Sequence, residues 1–68
     1  MTVIQRLIAE RKRRGLSVYR VAYLSGITAA NIARTEQGKS SMSLNNLEKW
    51  ADVLGLEVAV VEKADETE

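Results

Sequence analysis

SVYRVAYLSGITAANIARTEQG, residues Ser17 to Gly38, is the stretch that decides the fold of this chain. It reads as a short helix from Ser17 to Ser25, a turn at Gly26, and a second helix that opens at Thr28 and closes before Gly38. Ser17 and Thr28 are hydroxyl residues of the kind that accept the free N–H groups of a helix start. Val21, Ala22 and Ser25 make the inward stripe of the first helix, Ile27 plugs the core, and Ile32 is the inward residue of the second. The small Ala22 and Ser25 let another helix come close. Tyr19 and Tyr23 stand four residues apart and share a face. They are expected to be partly buried under a neighbouring element. The alternative is that, with Leu24, they form a surface for a protein or a DNA backbone.

Two short helices around a glycine-containing turn make the helix-turn-helix pattern, in which the second helix enters the major groove of DNA. Around Ile32 that helix carries Ala29, Ala30, Asn31, Ala33 and Arg34, with Thr35 and Glu36 on its flank. Its outward face is therefore small and polar with one long cation, where an ordinary solvated helix carries several lysines and glutamates.

Upstream, residues 3 to 14 form an amphipathic helix that Thr2 can cap, with Ile4, Leu7, Ile8 and Arg11 recurring at helical spacing. Arg11 continues the apolar stripe, so its side chain either snorkels out or meets a buried carboxylate. Gly15 ends this helix. Downstream, the hydroxyl-rich loop KSSMS (39–43) leads to a fourth helix capped by Ser43, with Leu44, Leu47, Trp50, Ala51 and Leu54 as its buried stripe. Trp50 sits in register with that stripe, which favours a core role over stacking on bases. From Leu56 the period changes. LEVAVVE (56–62) is rich in β-branched residues and reads as a strand. A lone strand leaves unpaired N–H and C=O groups, which a second copy could satisfy in an antiparallel ribbon through Leu56, Val58, Val60 and Val61. The other reading is an extended arm packed on helices 1 and 4. Residues 1–63 are expected to form one domain, and 64–68 an acidic tail without fixed structure.

Composition narrows the chemistry. A chain of 68 residues forms one small domain with no cysteine and no histidine. Thiolate metal sites, disulfides and histidine-based catalysis are excluded, which argues against an enzyme. No apolar run approaches the ~20 residues that span a bilayer, and the N-terminus lacks a signal-peptide core, so a cytoplasmic helical domain is expected, with no membrane role and no cofactor. The net charge of +1 hides an asymmetry. Residues 1–39 hold Arg6, Arg11, Lys12, Arg13, Arg14, Arg20, Arg34 and Lys39 against Glu10 and Glu36, whereas residues 40–68 hold seven acids against Lys49 and Lys63. The basic half suits a polyanion.

The residues also spell a family pattern: Gly15-Leu16-Ser17, Val21-Ala22, Ser25-Gly26-Ile27-Thr28, Ile32, Glu36, Gly38-Lys39, then Ser43-Leu44, Leu47, Ala51 and Leu54-Gly55-Leu56. Over roughly residues 4 to 56 this resembles the Cro/C1-type (lambda-repressor-like, XRE) helix-turn-helix family. The resemblance implies an all-α domain of four to five helices, here followed by the short strand. It also implies a sequence-specific transcriptional regulator, a probable repressor, binding a palindromic operator in double-stranded DNA as a homodimer. It implies an ion pair between Arg11 and Glu36 that ties helix 1 to the recognition helix. Ala29, Ala30, Asn31 and Arg34 are implied to face base edges, and Ser17, Thr28, Lys39, Ser40, Ser41 and Ser43 to hold phosphates. Val18 stands where the family usually has a glutamine that touches DNA. Antitoxins often combine such a domain with a terminal strand, so an antitoxin that binds DNA and a toxin protein is the alternative function. Tyr19, Tyr23, Leu24 or the acidic tail would then be its second contact surface.

Overall fold

A computed structural model describes residues 1–60 of the chain. Among them are four helices: α1 (Val3–Arg13), α2 (Val18–Ser25), α3 (Ala29–Glu36) and α4 (Leu44–Val53). Each begins at a hydroxyl residue that accepts the backbone N–H three positions on. Thr2 takes Gln5 N–H at 3.1 Å, Ser17 takes Arg20 N–H at 3.0 Å, Thr28 takes Asn31 N–H at 3.1 Å and Ser43 takes Asn46 N–H at 3.2 Å. Gln5 returns the bond by accepting the Thr2 N–H at 2.8 Å, which closes a capping box. Four such caps fix where each helix starts, since substitution of one by alanine typically costs ~1 kcal/mol.

The core is aliphatic around one indole: Leu7, Val21, Ile27, Ile32, Trp50, Ala51 and Leu54 are buried. α2 packs on both α3 and α4, and α1 packs on α3. The turn between α2 and α3 needs Gly26, whose φ of 81° lies in the left-handed region that side chains disfavour. Ser25 tightens that turn by accepting the Ile27 N–H at 3.2 Å, beyond the close approach expected of it. Trp50 is a core residue with no exposed surface, and its Nε1–H has no acceptor among the described residues. That unpaired donor costs roughly 1–3 kcal/mol, which burial of a large indole offsets.

Three expectations change. Leu44, placed in the buried stripe, is 57% exposed, because as the first residue of α4 it precedes the turn that meets the core. Tyr19 and Tyr23 are not partly buried but 77% and 78% exposed, since no described element covers that side of α2. Arg14, counted within α1, is its C-cap. Beyond α4, Leu56 and Val58 pack against the core, Glu57 and Ala59 point outward, and Val60 is 98% exposed. No strand forms among the described residues. Residues 61–62 of the expected strand, Val61 included, and the tail 64–68 lie outside them.

Candidate nucleic-acid interface

The geometry of the interface begins with how α3 is held. Ile32 and Thr35 turn inward, and the Thr35 hydroxyl donates to Asn31 C=O at 2.8 Å, so a polar residue is buried with its hydrogen bond made inside its own helix. On the flank, Arg11 reaches across from α1. Its Nε donates to Glu36 Oε2 at 2.7 Å and one terminal nitrogen donates to Glu36 Oε1 at 2.8 Å. The other terminal nitrogen donates to Leu16 C=O at 2.9 Å. One guanidinium thus joins α1, the loop into α2 and the end of α3. The side chains of Arg11 and Glu36 are 12% and 13% exposed, so water screens the pair little. The bidentate fork also fixes rotation, which a point charge does not.

With the inner face anchored, the opposite face is set. Ala30 and Arg34 are one turn apart and exposed, while Ala29, Asn31 and Ala33 are half-buried at its margins. Arg34 has no acidic partner among the described residues, so its fork of donors is available. The hydroxyls of Ser17, Thr28 and Ser43 accept helix N–H groups, yet each residue is exposed and its O–H can still donate to a phosphate. Lys39, Ser40 and Ser41 are exposed in the loop after α3, where the Lys39 N–H closes onto Arg34 C=O at 2.9 Å.

Sequence reasoning missed Glu10. It is 4% exposed and encircled by Arg6, Arg13 and Arg14, with Arg6 donating at 3.0 Å and Arg14 at 2.7 Å. Hydrogen bonds from Arg13, then Arg14 and Arg6, hold its carboxyl well below the usual carboxylate range. Arg13 and Arg14, loosely assigned to attracting the duplex, therefore commit donors to Glu10. Arg14 also lies against Gly55, where an added Cβ would stand 3.2 Å from its guanidinium. The signal was present in the spacing, since Glu10 is four residues from Arg6 and Arg14 and three from Arg13, but its burial was not. Arg20, the other loose candidate, lies over the Tyr23 ring, 5.6 Å from its centroid.

A short helix, a tight glycine turn and a second helix with one face anchored and the other open to solvent define a DNA-binding helix-turn-helix domain. A family model described as a helix-turn-helix domain matches residues 5–64, nearly the whole chain. The chain belongs to that family, which is of the XRE/Cro-like kind. No curated protein matches it. Among the described residues no helix is long and apolar enough to cross a membrane.

Proposed function

We propose that this chain is a transcriptional repressor that reads a palindromic operator in double-stranded DNA as a homodimer, acting in the cytoplasm by binding rather than catalysis. The observation that carries the proposal is the open face of α3, held by the Arg11–Glu36 fork and bearing an exposed Arg34 without an acidic partner among the described residues. On this reading Arg34 donates to guanine O6 and N7, Asn31 pairs with adenine or holds a phosphate, and the methyls of Ala29 and Ala30 face thymine. Ser17, Thr28, Lys39, Ser40, Ser41 and Ser43 hold the sugar–phosphate backbone and set register.

The homodimer reading rests on the segment after α4. Leu56 and Val58 lean on their own core, and Val60 is bare at 98% exposure. A second copy pairing along 56–62 would cover Val60 and place two α3 helices for two half-sites. Selection of bound duplexes from a random pool tests the whole proposal. A palindrome with half-sites about one helical turn, ~34 Å, apart supports it, and an unrelated set of sequences refutes sequence-specific reading. The exposure of Tyr23 and Leu24 favours one second reading, an antitoxin whose α2 surface holds a toxin protein while α3 holds DNA. A defined protein partner that binds the chain without displacing duplex supports it.

A further inference from the structure

Between α2 and α3 lies a groove lined by Val18, Tyr19, Ala29, Ala30 and Ala33. Apart from the Tyr19 hydroxyl its side chains are hydrocarbon, and three of the five are single methyl groups. Ala29 and Ala33 are one helical turn apart and form the row next to α2, while Ala30 and Arg34 form the adjacent row. The apolar groove therefore opens beside the exposed guanidinium of Arg34. Arg20, on α2 next to Tyr19, and Lys39, just beyond α3, add positive charge nearby and have no acidic partner among the described residues.

That combination restricts the occupant. A purely apolar ligand leaves the cations without counter-charge, and a bare phosphate finds no donor inside the groove. The occupant that satisfies both carries a small apolar group within a polyanionic frame. On the major-groove edge of a duplex the apolar group is the C5-methyl of a pyrimidine. Val18 offers no hydrogen bond, so it contributes surface alone. Tyr19 is 77% exposed, an expensive arrangement for a large side chain unless something rests against it.

We infer that the α2–α3 groove binds the C5-methyl group of a pyrimidine, with Val18 and Tyr19 as the wall facing the alanines of α3. Recognition then follows the methyl rather than the base name, so 5-methylcytosine is read where thymine is. The inference rests on the DNA-reading function and extends it to α2, whose side chains become specificity-determining.

The test uses the full chain and a duplex recovered by selection from a random pool. Each thymine is replaced in turn by uracil, which removes one methyl and changes nothing else on the base edge. At one or more positions per half-site the affinity falls about three- to fivefold, the value for withdrawing one buried methyl-sized group. At such a position a 5-methylcytosine duplex binds better than the cytosine duplex by a similar factor. Tyr19→Ala, at an exposed position, leaves the melting temperature unchanged and shrinks the thymine-to-uracil ratio. A selected duplex indifferent to uracil at every position overturns the inference while leaving DNA reading intact. An unchanged ratio in Tyr19→Ala overturns the role of α2. Failure to recover any preferred duplex overturns the DNA-reading function, and the inference with it.

Discussion

Glu36→Ala strips the Arg11 guanidinium of two of its three hydrogen bonds, those at 2.7 and 2.8 Å, and leaves it with Leu16 C=O alone. Breaking a buried pair by removing one partner costs about 3–5 kcal/mol, because a charge is stranded in low dielectric. The pair here is slightly open, at 12% and 13% exposure, so water reaches the stranded cation and the low end, ~3 kcal/mol, applies. A domain of this length is stabilised by roughly 3–10 kcal/mol in all, so the loss is a large fraction of it. The melting temperature should fall by about 12–24 °C, at the 4–8 °C per kcal/mol typical of such small domains. Thermal unfolding followed by circular dichroism measures this, with duplex affinity measured on the same samples. Affinity and stability should fall together, since α3 loses its orienting contact. Affinity lost at an unchanged melting temperature would instead make Glu36 part of the contact surface. Arg11→Met with Glu36→Leu supplies the control, because it removes both charges and fills the space. The double variant should be more stable than either single one. If the two single costs simply add in it, the side chains are not coupled and the reasoning fails.

Arg34→Ala should leave the melting temperature within about 0.5 kcal/mol of wild type, because the residue is exposed, while relaxing preference at one base pair per half-site by roughly 1–3 kcal/mol. An unaltered preference in a repeated selection would remove Arg34 from the reading face. Lys39→Ala should weaken all duplexes alike and lower the slope of log affinity against log salt by about one. A change in sequence preference would contradict its backbone role. Glu10 makes stability depend on acid. Its carboxyl titrates lower in the folded chain than the ~4.3 of an unfolded glutamate, so the arginine cluster stabilises fully above about pH 5 and its contribution fades as pH falls below. Glu10→Gln should flatten the stability profile between about pH 5 and pH 2, and an unchanged slope there would deny the cluster that role.

Much of this domain was legible as local pattern. Hydroxyl residues at 2, 17, 28 and 43 and glycines at 15, 26, 38 and 55 bracket the helices, because caps and left-handed turns are short-range chemistry. The buried series Leu7, Val21, Ile32, Trp50, Ala51 and Leu54 follows from helical period. Where period alone was used, it erred at helix ends: Leu44 has the right phase but lies too early in α4 to reach the core. The tyrosines misled for the opposite reason. Their bulk argued for cover, and whether α2 is covered depends on where the remaining helices pass.

By itself, then, the sequence determined four capped helices, a glycine turn after α2 and an α3 with a spare outer face, since each depends on residues within a turn or two of one another. Tertiary structure decided what crosses between helices. Arg11 had two outcomes by phase alone, and only the packing of α1 on α3 brings its fork to Glu36, 25 residues away. The same packing buries Glu10 among three arginines that mere spacing would have left as a solvated charge run. The groove of Val18, Tyr19 and three alanines exists only because α2 and α3 meet at the Gly26 turn. Charge and apolar surface acquire a partner only when the chain folds back on itself, so their roles belong to the tertiary structure and not to any one helix.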